Sequence, residues 1–302
     1  MNEQLYIELC DELGKDIVFK NEKMSEYTTF RIGGPCDVML KPKKAEDIQT
    51  AIDSCTRLHV PYTVIGNGSN LLVSDDGIDG LVIVIADNMS NVCIDGNIIT
   101  AQAGASLARV SREAQKAALT GLEFAAGIPG TVGGGTAMNA GAYNGEIKNV
   151  LKSVKVIENG KIKEYSKDQL HMGYRNTDIL KYDWIVCEAQ FELASGNSED
   201  ILAMMNDFNH RRREKQPLSL PSAGSTFKRP EGYFAGKLIQ DAGLSGKRIG
   251  GACVSPKHCG FVVNDLNGTA QDVSDLMDLV AKTVKEKFDV VLEPEVIKLG
   301  SF

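Results

Sequence analysis

Residues 127–146 read GIPGTVGGGTAMNAGAYNGE, seven glycines and a proline in twenty positions, with Glu146 the only charge. Fixing a glycine costs more backbone entropy than fixing any other residue, so such a run persists where side chains would be in the way. Loops of this length are also more often functional than idle. The expectation is that something lies against this main chain. A shorter cluster upstream, VIGNGSNLLV at 64–73, repeats the theme. There an apolar strand runs into Gly66-Asn67-Gly68-Ser69-Asn70, a tight turn whose successive N–H groups can form a concave anion nest. Pyrophosphate suits such a nest. The common nucleotide motifs are nevertheless missing. A dinucleotide fingerprint needs a further glycine where Leu71 stands and then a helix, and a phosphate loop needs a Gly-Lys-Ser/Thr ending. Two glycine-rich turns without a ligand are the plainer alternative.

Working outward, periodicity separates helices from strands. AEDIQTAIDSCTRL (45–58) puts Ile48, Ile52, Cys55 and Leu58 on one helical face, and SLARVSREAQKAAL does the same with Leu107, Val110, Ala114 and Ala117 behind a Ser106 cap. Strand candidates are VPYTVIG, GLVIVI and the hairpin-like VCIDGNIIT with its Asp-Gly turn, followed by a second hairpin, VKVIENGKIKEY, on Asn159-Gly160. WIVCEAQFEL alternates Ile185, Cys187, Ala189, Phe191 and Leu193 against Glu188, Gln190 and Glu192, as in a sheet with one covered face. Residues 199–213 read as a helix, KQPLSLPSAG as a Pro-punctuated linker, and 273–288 as an amphipathic helix with Val273, Leu276, Val280 and Val284 inward. The chain is therefore α+β, with a joint near 210–220 and no repeat.

Composition sets the outer bounds. The chain has 302 residues, 43% hydrophobic and 24% charged, which is globular rather than disordered, and a length that suggests about two domains. A net charge of −7 argues against a general nucleic-acid binder. The one basic cluster, HRRREK at 210–215, closes a helical pattern where cations favour the dipole. Seven cysteines, an odd number without a C-x-x-C pair, fit neither a disulfide framework nor a zinc site and imply a reducing compartment. The first residues, MNEQLYIELCDELGKD, lack a signal peptide's basic flank, and no segment is long enough to span a bilayer. A cytoplasmic protein without a membrane partner is expected.

The two glycine clusters sit among further motifs: TTFRIGGPCDVMLKP, GYR, PSAGSTFKRPEGYFAGKLIQDAGLSGKRIGGACVSPKHCGFVVN and LEPEV. Together, in one order over residues 20–300, they resemble the UDP-N-acetylenolpyruvoylglucosamine reductases, the shorter subclass without a tyrosine-bearing loop. The resemblance implies an FAD-binding scaffold of the vanillyl-alcohol oxidase (PCMH) type, which holds FAD between two α+β subdomains without a Rossmann turn. The implied division is 1–85 for the first subdomain, 86–212 for the second, completed by 293–302, and 213–292 for an α+β substrate-binding domain. FAD and NADPH are the implied cofactors, a UDP-sugar the substrate, and a monomer the expected state.

The resemblance also implies residues. Gly66, Asn67, Gly68, Ser69 and Asn70, with Gly127, Ile128, Pro129, Gly130, Val132, Gly133 and Gly134, would wrap the FAD pyrophosphate. Gly104, Asn139 and Gly141, followed by Ala142, would continue the lining. Thr28, Thr29 and Arg31, in the strand-like YTTFRIGG, would close the site. Hydride addition to the vinyl carbon leaves carbanion character beside the substrate carboxylate, so a cation and a proton donor are needed. Arg175 in GYR matches the cation, Ser225 in AGSTFK the proton donor, and Glu295 in EPEV the acid that orients the carboxyl end. Tyr174, Lys228, Tyr233, Lys237 and Gln240 offer a phenol, ammoniums and an amide for uracil, diphosphate and sugar. Each has a plainer reading: Arg175 as a solvated strand-end charge, Ser225 as a cap, Glu295 as a partner of nearby lysines, Arg31 as a surface ion pair. His258 reads as structural. After EPEV many relatives carry arginine, whereas Ile297 stands here; strand alternation points Lys298 the other way, so it is no substitute. Another FAD oxidase or dehydrogenase on the same scaffold and a flavin-free nucleotide-sugar binder are the rival classes.

Overall fold

A computed structural model describes residues 2–302. Its contacts divide the chain into two compact units, one comprising the segment up to Lys20, Val38–Asn67 and Gly80–Arg212, the other Asn21–Asp37, Gly68–Asp79 and Arg213–Phe302.

In the first unit, helix α1 (Glu3–Leu13) buries Leu5 and Leu9, and α2 (Ala45–Leu58) buries Ile48, Ile52 and Cys55, the face the periodicity marks. The α2 start is fixed by Asp47, whose carboxylate accepts the N–H groups of Lys43 and Lys44. It stops at His59, which turns left-handed at φ 54°. A four-stranded sheet orders Val18–Lys20, Cys36–Leu40, Ile78–Val84 and Tyr62–Ile65, the last pair parallel in the register Tyr62↔Leu81. An antiparallel five-stranded sheet orders Lys161–Ser166, Leu151–Glu158, Ile185–Glu192, Ile98–Gln102 and Val92–Asp95. Both expected hairpins are there; Asn159 and Gly160 take φ 50° and 71°, the left-handed pair that a two-residue hairpin requires. Helix α3 (Leu107–Lys116) begins at Ser106, whose hydroxyl accepts the Arg109 N–H. Next come α4 (Val132–Ala137) inside the glycine loop, α5 (Asp178–Lys181) and α6 (Ser198–Lys215). One core draws on most of these elements, and Phe191, Ile99, Val132 and Leu107 are fully buried in it.

The second unit has its own core. Helix α7 (Ala235–Asp241) and helix α8 (Ala270–Phe288) lie with a three-stranded antiparallel sheet, Arg248–Ile249, Ala252–Val254 and Val262–Asn264. Val273, Leu276, Val280 and Val284 of α8 are each completely buried, and burial of such side chains stabilises by roughly 1.5–3 kcal/mol apiece. A capping box starts α8: Thr269 Oγ1 accepts the Asp272 N–H at 3.0 Å and the Asp272 carboxylate accepts the Thr269 N–H at 3.0 Å. Leu71–Val73 pairs in parallel with Ile297–Leu299.

One expectation changes. The segment YTTFRIGG is not a strand: Arg31 turns left-handed at φ 55° and gives its N–H to Thr28, while Thr28 Oγ1 donates to the Ile32 carbonyl.

Candidate active site

The first unit holds a cavity of about 530 Å³, inside the range of small-molecule sites. Gly66, Thr131, Gly133 and Gly134 give it glycine-rich main chain on one side, and Val64, Ile85, Ala137 and Trp184 give it apolar walls. Thr131 is a residue the sequence reading omits from the glycine loop. It caps α4, its hydroxyl accepting the Gly134 N–H at 3.3 Å, and a Cβ on Gly66 would stand 2.4 Å from that hydroxyl. A threonine one position before a short glycine helix was the available signal.

Much of what lies against the glycine loop is the protein itself. Gly133 gives its N–H to Ala103, Val132 to Ala105, and Ile128 to Ala125. Gly104 gives its N–H to Met89 and approaches Ala86 so closely that a Cβ would lie 1.9 Å from the carbonyl oxygen. Gly127 presses on Asn209 and Arg212 of α6. Arg212 is therefore more than a helix-end cation: burial pushes its guanidinium pKa down from the ordinary value. Beside it Tyr143 stacks on Phe208 at 4.3 Å. Gly134 differs, because the nearest atom to an added Cβ is 3.6 Å away, and this residue faces the cavity.

The other bend is locked by side chains. Asn67 Nδ2 donates to the Pro129 carbonyl at 3.0 Å, and Asn70 Nδ2 donates to the Glu295 carbonyl at 2.9 Å. The main-chain N–H groups of Asn67, Gly68, Ser69 and Asn70 have no acceptor among the described residues. Four successive donors left open are what an anion nest provides. Open donors and an apolar, glycine-lined cavity fit FAD, whose pyrophosphate needs donors and whose rings need apolar surface.

Arg175 sits at the tip of a hairpin, Met172–Gly173 paired with Asn176–Thr177, at φ 54°. Its guanidinium lies 5.0 Å from the ring centre of the exposed Tyr174. Asn139, expected to line the cofactor, is buried, and its side chain is engaged by Glu146, Gly173 and the Lys148 N–H. Gly141 pairs with Glu146 in a two-residue ladder.

In the second unit, Ser225 and Glu295 stand on neighbouring segments. The Thr226 carbonyl accepts the Glu295 N–H at 2.9 Å, Phe227 bridges Pro294, and the Lys228 N–H reaches the Glu293 carbonyl at 2.8 Å. Ser225 is exposed and Glu295 half-buried. Lys228 pairs with Glu293 at 3.2 Å and Lys237 with Asp241 at 2.5 Å. Lys237 and Gln240, exposed and one turn apart on α7, follow the exposed Tyr233. Thr29 Oγ1 donates to the Ser222 carbonyl at 2.6 Å, so the segment around Arg31 adjoins the segment that carries Ser225. Arg31 itself is exposed. His258 Nδ1 accepts the Gly260 N–H at 3.1 Å, and burial pushes its pKa down.

Residues 216–299 match the family described as UDP-N-acetylenolpyruvoylglucosamine reductase, C-terminal domain, and residues 36–166 match the FAD binding domain. A UDP-N-acetylenolpyruvoylglucosamine reductase of Clostridium botulinum (strain Eklund 17B / Type B) is 52% identical over 297 residues, covering 98% of this chain and 97% of the relative. The chain belongs to the UDP-N-acetylenolpyruvoylglucosamine reductase family. The crystal structure of the Thermus caldophilus reductase agrees, with a TM-score of 0.79 and 34% identity over 92% of this chain and 98% of that one. The fold is the α+β flavoenzyme scaffold expected. A glucose dehydrogenase, Phl p 4.0202, shares that fold at a TM-score of 0.50 and 18% identity, over 64% of this chain and 44% of its own. Within the reductase family, the C-terminal match carries Ser225 and Glu295, and the FAD-domain match carries both glycine clusters.

Proposed function

We infer that this chain reduces the enolpyruvyl ether of UDP-N-acetylenolpyruvoylglucosamine to UDP-N-acetylmuramate, a step of peptidoglycan synthesis, with bound FAD and with NADPH as donor. The observation that carries this reading is the adjacency of Ser225 and Glu295, joined by the Thr226–Glu295 main-chain bond within the segment matched to the reductase C-terminal domain. Bound FAD would supply the hydride-transfer chemistry that links NADPH to the vinyl carbon of the substrate.

The chain's own residues do the rest. Arg175 neutralises the substrate carboxylate as charge builds on it. Ser225 delivers the proton to the carbon next to that carboxylate, and Glu295 orients the carboxyl end. A serine is a weak acid near neutral pH, so its transfer draws on a nearby cation, for which Lys228 and Lys237 are the candidates. The open N–H groups of Asn67, Gly68, Ser69 and Asn70, with Gly66, Gly130 and Gly134, hold the FAD pyrophosphate. Arg31, Gly104, Gly127, Ile128, Pro129, Val132, Gly133 and Gly141 shape that seat. Tyr174, Lys228, Tyr233, Lys237 and Gln240 grip the UDP-sugar. Residues 1–85 and 86–212, the latter completed by 293–302, act as the two FAD-binding subdomains, and residues 213–292 bind substrate. The enzyme works as a cytoplasmic monomer without nucleic acid, and its product supports cell shape and division. No helix among the described residues is long and apolar enough to cross a membrane.

The test is anaerobic. Enzyme reduced with NADPH is mixed with the enolpyruvyl UDP-sugar, and return of the oxidised flavin spectrum without oxygen is expected. A spectrum that stays bleached overturns the assignment. Ser225→Ala is expected to keep NADPH-driven bleaching while turnover slows by ~10²–10⁴, the usual loss for a general acid. Unchanged turnover removes Ser225 from the chemistry.

A further inference from the structure

The hairpin that carries Arg175 is too short to hold itself. Two residues pair on each side, Met172 with Thr177 and Gly173 with Asn176, and an isolated two-stranded hairpin is marginal in water even when longer. Its place is set by two bonds to the end of α4. On one strand the Gly173 carbonyl accepts Asn139 Nδ2 at 3.0 Å. On the other, Thr177 Oγ1 donates to the Ala137 carbonyl. Ala137 and Asn139 flank Met138, so both strands are tied to one short stretch of main chain at the exit of the glycine helix.

Neither anchor is adjustable. Asn139 is 1% exposed at φ 47°, a conformation that asparagine tolerates better than most residues. Its second amide proton goes to Glu146 Oε2 at 2.8 Å, and its oxygen accepts the Lys148 N–H at 2.9 Å. Glu146 is itself paired with Lys148 at 2.7 Å. With both donors taken, the Asn139 amide has none to offer a cofactor. Thr177 also caps α5 by accepting the Leu180 N–H at 3.2 Å.

We propose that Asn139 and Thr177 are positioning residues that act on the reaction through the main chain of the Arg175 hairpin. The inference rests on the reading of Arg175 as the residue that meets the substrate carboxylate. A long side chain on a two-residue tip inherits any displacement of that tip, and an error of about 1 Å in such a group costs roughly 10²-fold in rate.

Asn139→Asp keeps the shape, removes the donors and faces Glu146 with a second carboxylate; Thr177→Val keeps the shape and removes the hydroxyl; Thr177→Ser restores it. In flavin-loaded enzyme, the first two variants should slow reoxidation by saturating enolpyruvyl substrate by about 10–10²-fold while reduction by NADPH stays within about 2-fold, and Thr177→Ser should match the parent. In an Arg175→Ala background the same two changes should add less than about 2-fold, since they act through the residue already removed. Amides 173–177 should exchange hydrogen faster in both variants, with the five-stranded sheet unchanged. Equal slowing of both half-reactions with loss of bound FAD, or a multiplicative loss in the Arg175→Ala background, overturns the proposal. So does fast reoxidation by Asn139→Asp and Thr177→Val when Arg175→Ala is slow. Parent-like reoxidation by Arg175→Ala instead overturns the reading of Arg175 itself.

Discussion

The bend at 66–70 and the loop at 127–135 are both rich in glycine, yet they dispose of their main-chain donors in opposite ways. In the first, Asn67 and Asn70 lock the chain with side-chain amides, and four N–H groups stay open. In the second there are few side chains to do the locking, so the N–H groups of Val132, Gly133 and Gly135 bind carbonyls of the same unit. Glycine content alone therefore does not report a ligand contact. The destination of each donor is the sharper guide: four successive N–H groups stay open at the shorter bend, against those of Gly130 and Thr131 in the longer loop.

The largest effect expected is at Gly68, which is buried at φ 58°, with Tyr27 O 2.0 Å from where a Cβ would stand. Gly68→Ala should cost about 4 kcal/mol or more in denaturant unfolding, because a carbonyl rather than a flexible side chain must move. A loss under about 1 kcal/mol would mean the bend is not the rigid partner of the comparison.

Gly134 is the converse. A methyl group there meets no close atom, and replacing a helical glycine by alanine gains about 0.5–1 kcal/mol. Gly134→Ala should keep or raise the melting temperature while weakening FAD by about tenfold, near 1.4 kcal/mol, in a titration of apoprotein. Undiminished FAD affinity would remove the cavity face of the longer loop from cofactor binding.

The smallest effect uses an internal example of an anion held by main-chain donors. The Asp272 carboxylate accepts N–H bonds from Thr269 and Gly251, and these hold its pKa below the usual carboxylate value. A depressed folded-state pKa contributes stability that is present above the unfolded value, near 3.9, and is lost as pH falls through the lower folded value. The stability gap between the parent and Asp272→Asn should thus be widest near neutrality and shrink below about pH 4 in acid unfolding. A gap independent of pH would mean that these donors do not favour an anion.

Local elements were largely legible before the structure. Helix α2 spans Ala45–Leu58 as its periodicity indicates, and the Ser106 cap and the Asn159-Gly160 turn stand where short-range chemistry puts them. What escaped the sequence depends on side-chain hydrogen bonds that the residue pattern does not announce, whether their partners are near or far along the chain. The segment around Arg31 carries strand-like residues, but the Thr28 hydroxyl bonds within four residues and turns it. Nothing in the pattern around Asn139 announces that its side chain is taken up by Glu146, Lys148 and Gly173. Lys298 is the reverse case: alternation alone predicts that it and Ile297 diverge, and Lys298 Nζ indeed donates to Ser274 while Ile297 is exposed.

The parallel pairing of Leu71–Val73 with Ile297–Leu299 carries a consequence for biosynthesis. A ribosome delivering about 5–20 residues per second leaves the earlier strand without its neighbour for roughly 10–45 s. During that interval the segment bearing Glu295 has not yet been made either, so on the reading proposed for Glu295 the nascent polypeptide stays inactive until this late strand arrives.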